Sequence, residues 1–189
     1  MTSMWRTIES VRTSISPTDF ILLTKYKARC KYVRGLSSTN IQGLGVKVSE
    51  GYFVMLKLSL AFSAIEMIAT VTSRRNSLGI RSTSVVSAMN SGKFDKLLKA
   101  VDKDNDRRYP KSTSNEYGRW REISSSSDLT RFVAQCRNFM VHGSFSPSES
   151  GLSDSKLLRS LILELAEDTL VAGDRALELW CLKLRLANS

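Results

Sequence analysis

The longest apolar stretch of the chain, residues 51–73, constrains the fold more than any other feature. It reads GYFVMLKLSLAFSAIEMIATVTS, and apolar side chains occupy nearly the whole circumference of a helix with this sequence. A helix that is apolar all round has to be covered on all sides by other elements. Lys57 and Glu66 interrupt the run, which disfavours a membrane span. The stretch therefore predicts a central helix buried in a helical bundle.

Other segments of the chain provide helices that can cover the central one. Residues 2–14 predict a short helix, and the sequence Ser-Pro-Thr-Asp at 16–19 predicts the start of a second helix that runs to about residue 34. Serine is a favourable N-cap and proline suits the first helical position. The intervening Gly- and Ser-rich residues 35–48 predict a loop. Together these segments predict an all-α, up-and-down bundle of about four main helices with short extra helices.

The last part of the chain predicts one long helix over residues 154–186. Gly173 lies near its middle, and a glycine at that place predicts a bend or a break. The core side of this helix is predicted to carry Leu157, Leu158, Leu161, Leu165, Leu170, Leu177 and Trp180.

The length and composition describe a single helical domain over residues 1–189. A chain of 189 residues with 42 % hydrophobic residues is long enough to bury a stable core. Residues 103–127 contain no clear periodicity and predict a long loop. The cysteines are Cys30, Cys136 and Cys181, and with a single histidine they match no zinc-ligand spacing and no disulfide framework. We therefore expect a cytoplasmic protein without a metal or other cofactor.

The net charge of +10 is concentrated in the first two thirds of the chain. Residues 1–75 contain 11 Lys/Arg against 4 Asp/Glu, residues 76–127 contain 10 against 6, and residues 128–189 contain 7 against 8. A basic excess of this size attracts polyanions in a salt-dependent way. Many basic proteins bind no nucleic acid, so the charge alone leaves the partner open.

Two basic segments contain aromatic residues that suit RNA. The second helix carries Lys25, Lys27, Arg29, Lys31 and Arg34 with interleaved tyrosines, and it suits either a nucleic-acid backbone or a solvated face. In the predicted loop, Arg119, Trp120 and Arg121 combine cations with an aromatic ring that can stack on unpaired bases. The alternative for this second segment is an aromatic clip that holds the loop on the core.

The only histidine of the chain lies in the sequence QCRNFMVHGSF, residues 135–145. Asn138 and His142 are four residues apart and share a helix face, and Gly143 suits the end of that helix. An imidazole can move a proton near neutral pH, and the Arg137 guanidinium can bind two phosphate oxygens. This chemistry suits a phosphate ester. The alternative is a helix that simply ends in His-Gly, with Arg137 in solvent.

The pattern Arg137, Asn138 and His142, followed by glycine, resembles the signature of the HEPN superfamily. Proteins of this superfamily are all-helical, and many are metal-independent ribonucleases. The resemblance implies that these three residues are catalytic and that Glu66, an acid on an early core helix, supports the site. It also implies cleavage of single-stranded RNA by the ribose 2′-hydroxyl, which leaves a 2′,3′-cyclic phosphate.

The resemblance further implies a homodimer with a composite site at its interface, because one histidine per chain cannot be acid and base together. Members of the superfamily act as toxins or as anti-phage defence effectors, and a nucleotidyltransferase-like antitoxin often restrains such a toxin. Two alternatives stay open from the sequence. One is a non-catalytic module that binds RNA, a nucleotide or a protein partner, and the other is an interaction protein in which Arg137 and His142 are structural.

Overall fold

The computed structural model describes residues 3–38, 41–73 and 156–188. These ranges contain four packed α-helices and no strand, so the predicted all-α bundle is confirmed. A short 3-10 turn, Arg12–Ser14, connects the first helix to the second. The predicted loop at 103–127 lies outside the described residues. The four helices are α1 (Ser3–Glu9), α2 (Pro17–Gly35), α3 (Val46–Ser73) and α4 (Lys156–Ala187).

Helix α3 is the core helix that its composition predicts. Its apolar side chains pack mainly against α4 and α2, and Leu58, Ile65 and Ile68 are fully buried. It begins at Val46, so the end of the predicted loop at 35–48 is helical instead. By length and composition alone α3 could cross a membrane, but just over half of its most apolar window is buried inside the protein. A buried core helix of a soluble protein meets the same criterion.

The two ends of α2 are stabilised by side chains that the sequence places there. The Ser16 hydroxyl accepts a hydrogen bond from the Asp19 backbone N–H at 3.1 Å, which confirms the predicted N-cap. At the other end, the Lys57 ammonium of α3 donates to the backbone carbonyl of Leu36 at 3.0 Å. A cation at a helix C-terminus is favourable because the last carbonyls carry partial negative charge. Lys57 therefore has a structural partner although it lies in an apolar helix.

Helices α3 and α4 run in the same direction. The Arg159 guanidinium, near the start of α4, lies 2.9 Å from the Glu50 carboxylate near the start of α3. Further along, Gly173 in the middle of α4 packs against Ile65 in the second half of α3. Helix α2 runs opposite to both, since its C-terminal end contacts Lys57 and its middle contacts Gly173. The chain therefore has to return from the end of α3 to the opposite end of the bundle before α4 begins.

Two expectations for α4 need correction. Gly173 does not break the helix, which is continuous from Lys156 to Ala187. The glycine is there because a Cβ atom would lie 3.0 Å from the Tyr26 hydroxyl of α2. Leu157 is 62 % exposed, so it does not belong to the core side. The other predicted core residues of α4 are buried.

Candidate functional site

The three motif residues Arg137, Asn138 and His142 lie outside the described residues. The same holds for the basic aromatic segment Arg119, Trp120 and Arg121. Glu66 is the one predicted site residue that the structure describes. It lies on α3 with its side chain partly buried, and its backbone carbonyl accepts a 2.8 Å hydrogen bond from the Thr70 hydroxyl. The geometry between Glu66 and the motif therefore stays a prediction.

A polar network joins α2 to α4 beside the core. The Tyr26 hydroxyl donates to one Asp174 carboxylate oxygen at 2.7 Å, and the Arg34 guanidinium donates to the other at 2.9 Å. Arg34 also donates to the Glu167 carboxylate at 3.0 Å. Each oxygen of Asp174 therefore accepts one hydrogen bond from α2, and the carboxylate holds the two helices together.

The ionisation of this network fits a structural role. Burial, reinforced by Cys30 and Asp174, raises the pKa of Tyr26 well above its usual range. Burial opposes the charge on Arg34, but its hydrogen bonds with Glu167 and Asp174 raise the pKa of Arg34 above its usual value. Tyr26 is therefore a neutral donor and Arg34 a permanent cation at every physiological pH. Neither group can exchange a proton near neutrality, as a general acid or base must.

The predicted basic face of α2 divides into two parts. Arg34 is occupied by the network with α4, and Tyr26 is buried in the core. Lys25, Arg29 and Lys31 are exposed, and Tyr32 is 60 % exposed. The exposed cations lie on both flanks of the outer surface of α2, so this surface is both solvated and suited to a polyanion.

A surface pocket of about 540 Å³ lies between α1 and α2. Two aromatic rings contribute to its wall, since the centroids of Trp5 and Phe20 are 6.2 Å apart in an edge-on arrangement. A cation covers each ring: the Arg12 guanidinium lies 5.1 Å from the centroid of Phe20, and the Lys27 ammonium lies 4.4 Å from that of Trp5. The lining residues are Trp5, Arg6, Glu9, Ser10, Arg12 and Phe20.

The periodicity of the sequence does not predict this pocket. Residues 2–14 are predicted as one helix, whereas α1 ends at Glu9 and the chain then forms a 3-10 turn. The turn places Arg12 over Phe20, and the Glu9 carboxylate holds the Arg12 guanidinium at 3.0 Å. The sequence does contain one feature of the pocket, which is the presence of Arg6 and Arg12 shortly after the aromatic Trp5.

Within residues 3–38, 41–73 and 156–188 no cluster of three His, Cys, Asp or Glu side chains is suited to hold a metal ion. Comparisons with protein-family models, with curated proteins and with solved structures gave no match for this chain.

Proposed function

We propose that this protein is a metal-independent endoribonuclease of HEPN type that cleaves single-stranded RNA. The observation that carries the proposal is the motif of Arg137, Asn138 and His142, whose side chains suit a phosphodiester. Two further observations support it. The described helices form an all-α bundle, as this type of ribonuclease requires, and the net charge of +10 favours a polyanionic substrate.

The proposed reaction is an internal transfer at phosphorus. The ribose 2′-hydroxyl loses its proton and its oxygen bonds to the adjacent phosphorus, while the bond from phosphorus to the 5′-oxygen breaks and that oxygen takes up a proton. His142 carries one of these protons, because an imidazole titrates near neutral pH. Arg137 binds the scissile phosphate and stabilises its additional negative charge, and Asn138 orients the groups. The products are a 2′,3′-cyclic phosphate and a free 5′-hydroxyl.

The relative directions of the described helices support a proposal for the position of the motif in the bundle. Because α3 and α4 are parallel, an up-and-down bundle requires an antiparallel helix between them in the chain. We propose that residues 129–142, whose last part contains the motif, form a helix that makes this return. It would then lie in the bundle with α3 and α4, which is compatible with a supporting role for Glu66 on α3.

We further propose a homodimer, so that two copies of His142 supply the acid and the base in one cleft. An apolar stripe on α4 supports this proposal. Leu179, Leu182 and Leu186 recur at intervals of three and four residues, so they share one helix face, and all three are exposed. A stripe with this spacing is typical of a helix that packs against another helix.

The proposed setting is the cytoplasm, where the enzyme acts as a toxin or as an anti-phage defence effector. A toxin of this kind requires restraint, and a nucleotidyltransferase-like antitoxin is the expected partner. The support for this setting is the resemblance of the motif alone.

The first experiment measures RNA cleavage in EDTA by purified wild-type protein and by three variants. We expect His142→Ala and Arg137→Ala to lose at least about 99 % of the activity, since a general acid–base group contributes roughly 10²–10⁴-fold. Arg131→Ala is the matched control, because it removes the same kind of side chain six residues upstream of Arg137. Cleavage that needs added metal, or that survives in His142→Ala, would contradict the proposal.

A second candidate function is a non-catalytic RNA-binding module. The exposed Lys31 and Tyr32 on the outer surface of α2 favour it, because such side chains suit a nucleic-acid strand without requiring any reaction. In that case the wild-type protein binds RNA and leaves it intact, and His142→Ala binds equally well.

A further inference from the structure

We infer that the pocket between α1 and α2 binds an unpaired nucleotide of single-stranded RNA, with the base against Trp5 and Phe20 and the phosphates on Arg6 and Arg12. This inference rests on the proposed function, because it takes the RNA substrate proposed there as the ligand of the pocket. It adds a binding site remote in sequence from the catalytic motif, in a part of the chain to which the motif assigns no role.

The aromatic wall provides the surface for the base. Trp5 and Phe20 are both only partly buried, although Phe20 packs against the apolar core of the bundle. The cations over their faces are held by contacts that are weak at an exposed surface: Lys27 by a cation–π contact, and Arg12 by a cation–π contact together with its ion pair to the Glu9 carboxylate at 3.0 Å. A nucleobase has a larger aromatic face than a guanidinium, so it replaces Arg12 over Phe20 while Arg12 turns to the phosphate. The volume of about 540 Å³ is in the range of small-molecule sites.

The cations continue from the pocket along one side of α2. Phe20, Lys27 and Lys31 are spaced by seven and four residues, so they lie on the same side of the helix. Lys31 is exposed and lies about 16 Å along the helix axis from Phe20, at 1.5 Å per residue. A strand with one base in the pocket can therefore place its following phosphates beside Lys27 and Lys31.

The opposite flank of α2 provides a matched control. Lys25 and Arg29 are exposed like Arg6 and Arg12, but the helical spacing places them on the far side of α2 from Phe20. Removing either pair lowers the net charge by the same amount. A difference in RNA affinity between the two double variants therefore measures binding at the pocket, and not the general attraction of a basic protein for RNA.

The test measures binding of a labelled single-stranded oligonucleotide by fluorescence anisotropy. The oligonucleotide carries 2′-O-methyl groups, so attack by the 2′-hydroxyl cannot cleave it and the wild-type protein can be used. We expect Arg6→Gln/Arg12→Gln to weaken binding at least about tenfold, and Lys25→Gln/Arg29→Gln to weaken it no more than about threefold, since fewer phosphate contacts are lost.

A second variant tests the stacking without a change of charge. We expect Trp5→Leu to weaken binding about fivefold or more, which corresponds to the loss of one base–aromatic contact. Circular dichroism and the melting temperature establish that each variant is folded. If Trp5→Leu destabilises α1, then Phe20→Leu, which alters the wall from α2, gives the same comparison.

Several outcomes separate this inference from the proposed ribonuclease function. Equal weakening by the two double variants, or no weakening by the pocket variants, overturns the pocket and leaves cleavage by the motif intact. Binding that depends on the pocket in a protein that cleaves no RNA supports the pocket and contradicts the ribonuclease. A wild-type protein that binds no oligonucleotide, but binds anionic vesicles or a protein through Arg6 and Arg12, also overturns the inference.

Discussion

Gly173 lies where three helices approach one another closely. A Cβ atom there would lie 3.0 Å from the Tyr26 hydroxyl of α2 and 3.3 Å from a side-chain carbon of Ile65 on α3. Neither neighbour has room to move, because Tyr26 and Ile65 are fully buried and the hydroxyl is hydrogen-bonded to Asp174. The position therefore requires a residue without a side chain, even though glycine is unfavourable in a helix.

We expect Gly173→Ala to lower the free energy of unfolding by about 1 kcal/mol. Alanine is better than glycine in a helix by about 1 kcal/mol, but overpacking of a buried site costs roughly 1–3 kcal/mol. Thermal unfolding should show a melting temperature a few degrees lower. Gly35→Ala is the control, because a Cβ atom at the end of α2 meets nothing within 4 Å. A higher melting temperature for Gly173→Ala would show that the three helices have room to adjust.

Cys30 and Cys181 are expected to lower the free energy of unfolding at alkaline pH. Both thiols are free and buried, and burial raises the pKa of each to about 12. In the unfolded chain a thiol ionises near pH 8.5, whereas in the folded protein it stays protonated. Because the folded pKa is the higher one, their contribution to stability is complete below about pH 8.5 and is lost as the pH rises towards 12.

We expect the free energy of unfolding, measured by urea denaturation, to fall above about pH 8.5 by roughly 1.4 kcal/mol per pH unit for each thiol. Cys30→Ala/Cys181→Ala should show a shallower decrease, and the remaining slope comes from groups such as Tyr26, whose pKa is also raised by burial. In peptide mapping, iodoacetamide should modify neither thiol of the native protein at pH 8. Rapid native modification of Cys30 would show that the interface between α2 and α4 opens.

Helix α4 has two apolar faces, and the described part of the bundle covers only one of them. Leu177, Trp180 and Leu184 are buried in the core, whereas Leu179, Leu182 and Leu186 are exposed. The spacing of the second set predicts a helix–helix contact with another molecule, and in the proposed dimer that molecule is a second copy of the chain.

We expect Leu179→Glu to shift the protein from dimer to monomer in sedimentation velocity and to lower RNA cleavage with it. A carboxylate in an apolar helix contact is costly because it has no partner there. Leu157→Glu is a close control, since Leu157 is 62 % exposed and Leu179 is 60 % exposed on the same helix. A wild-type protein that is monomeric at working concentrations and fully active would contradict the composite site.

The elements show which parts of the fold the sequence can predict. The apolar run of α3 and the Ser16 cap of α2 are local signals, and both predictions agree with the structure. The prediction for Gly173 is wrong because the role of this residue depends on a neighbouring helix, where it makes room for a tyrosine of α2. Leu157 is exposed although Leu158 beside it is buried, so the predicted core side of α4 is too wide at this point.

The sequence predicts less of the candidate site than of the fold. The motif of Arg137, Asn138 and His142 is a sequence signal, and its geometry lies outside the described residues. The pocket at Trp5 and Phe20 was missed for a different reason. It forms where a 3-10 turn brings Arg12 over the Phe20 ring of α2. Helical periodicity cannot predict this contact, because the two residues do not belong to the same helix.

The whole molecule combines a helical bundle, an excess of basic residues and a single histidine in a motif that suits a phosphodiester. The charge is distributed unevenly along the chain. The first two thirds carry the positive excess, to which we assign the proposed attraction for RNA, while the region after residue 127, which contains the motif, is nearly neutral. If both proposals hold, we expect substitutions in the first part to weaken RNA binding and substitutions in the motif to abolish cleavage.

The most direct test of the central claim compares two RNA substrates in EDTA that differ only in the 2′-hydroxyl. One is an RNA with a mapped cleavage position, and the other has a single 2′-deoxy nucleotide immediately 5′ of that position. We expect the wild-type protein to cleave the all-ribose RNA to a 2′,3′-cyclic phosphate and to leave the 2′-deoxy RNA intact at that position. The His142→Ala variant should cleave neither RNA. Cleavage of the 2′-deoxy substrate at the same position would show that water, and not the ribose, attacks the phosphate, and would contradict the proposed mechanism.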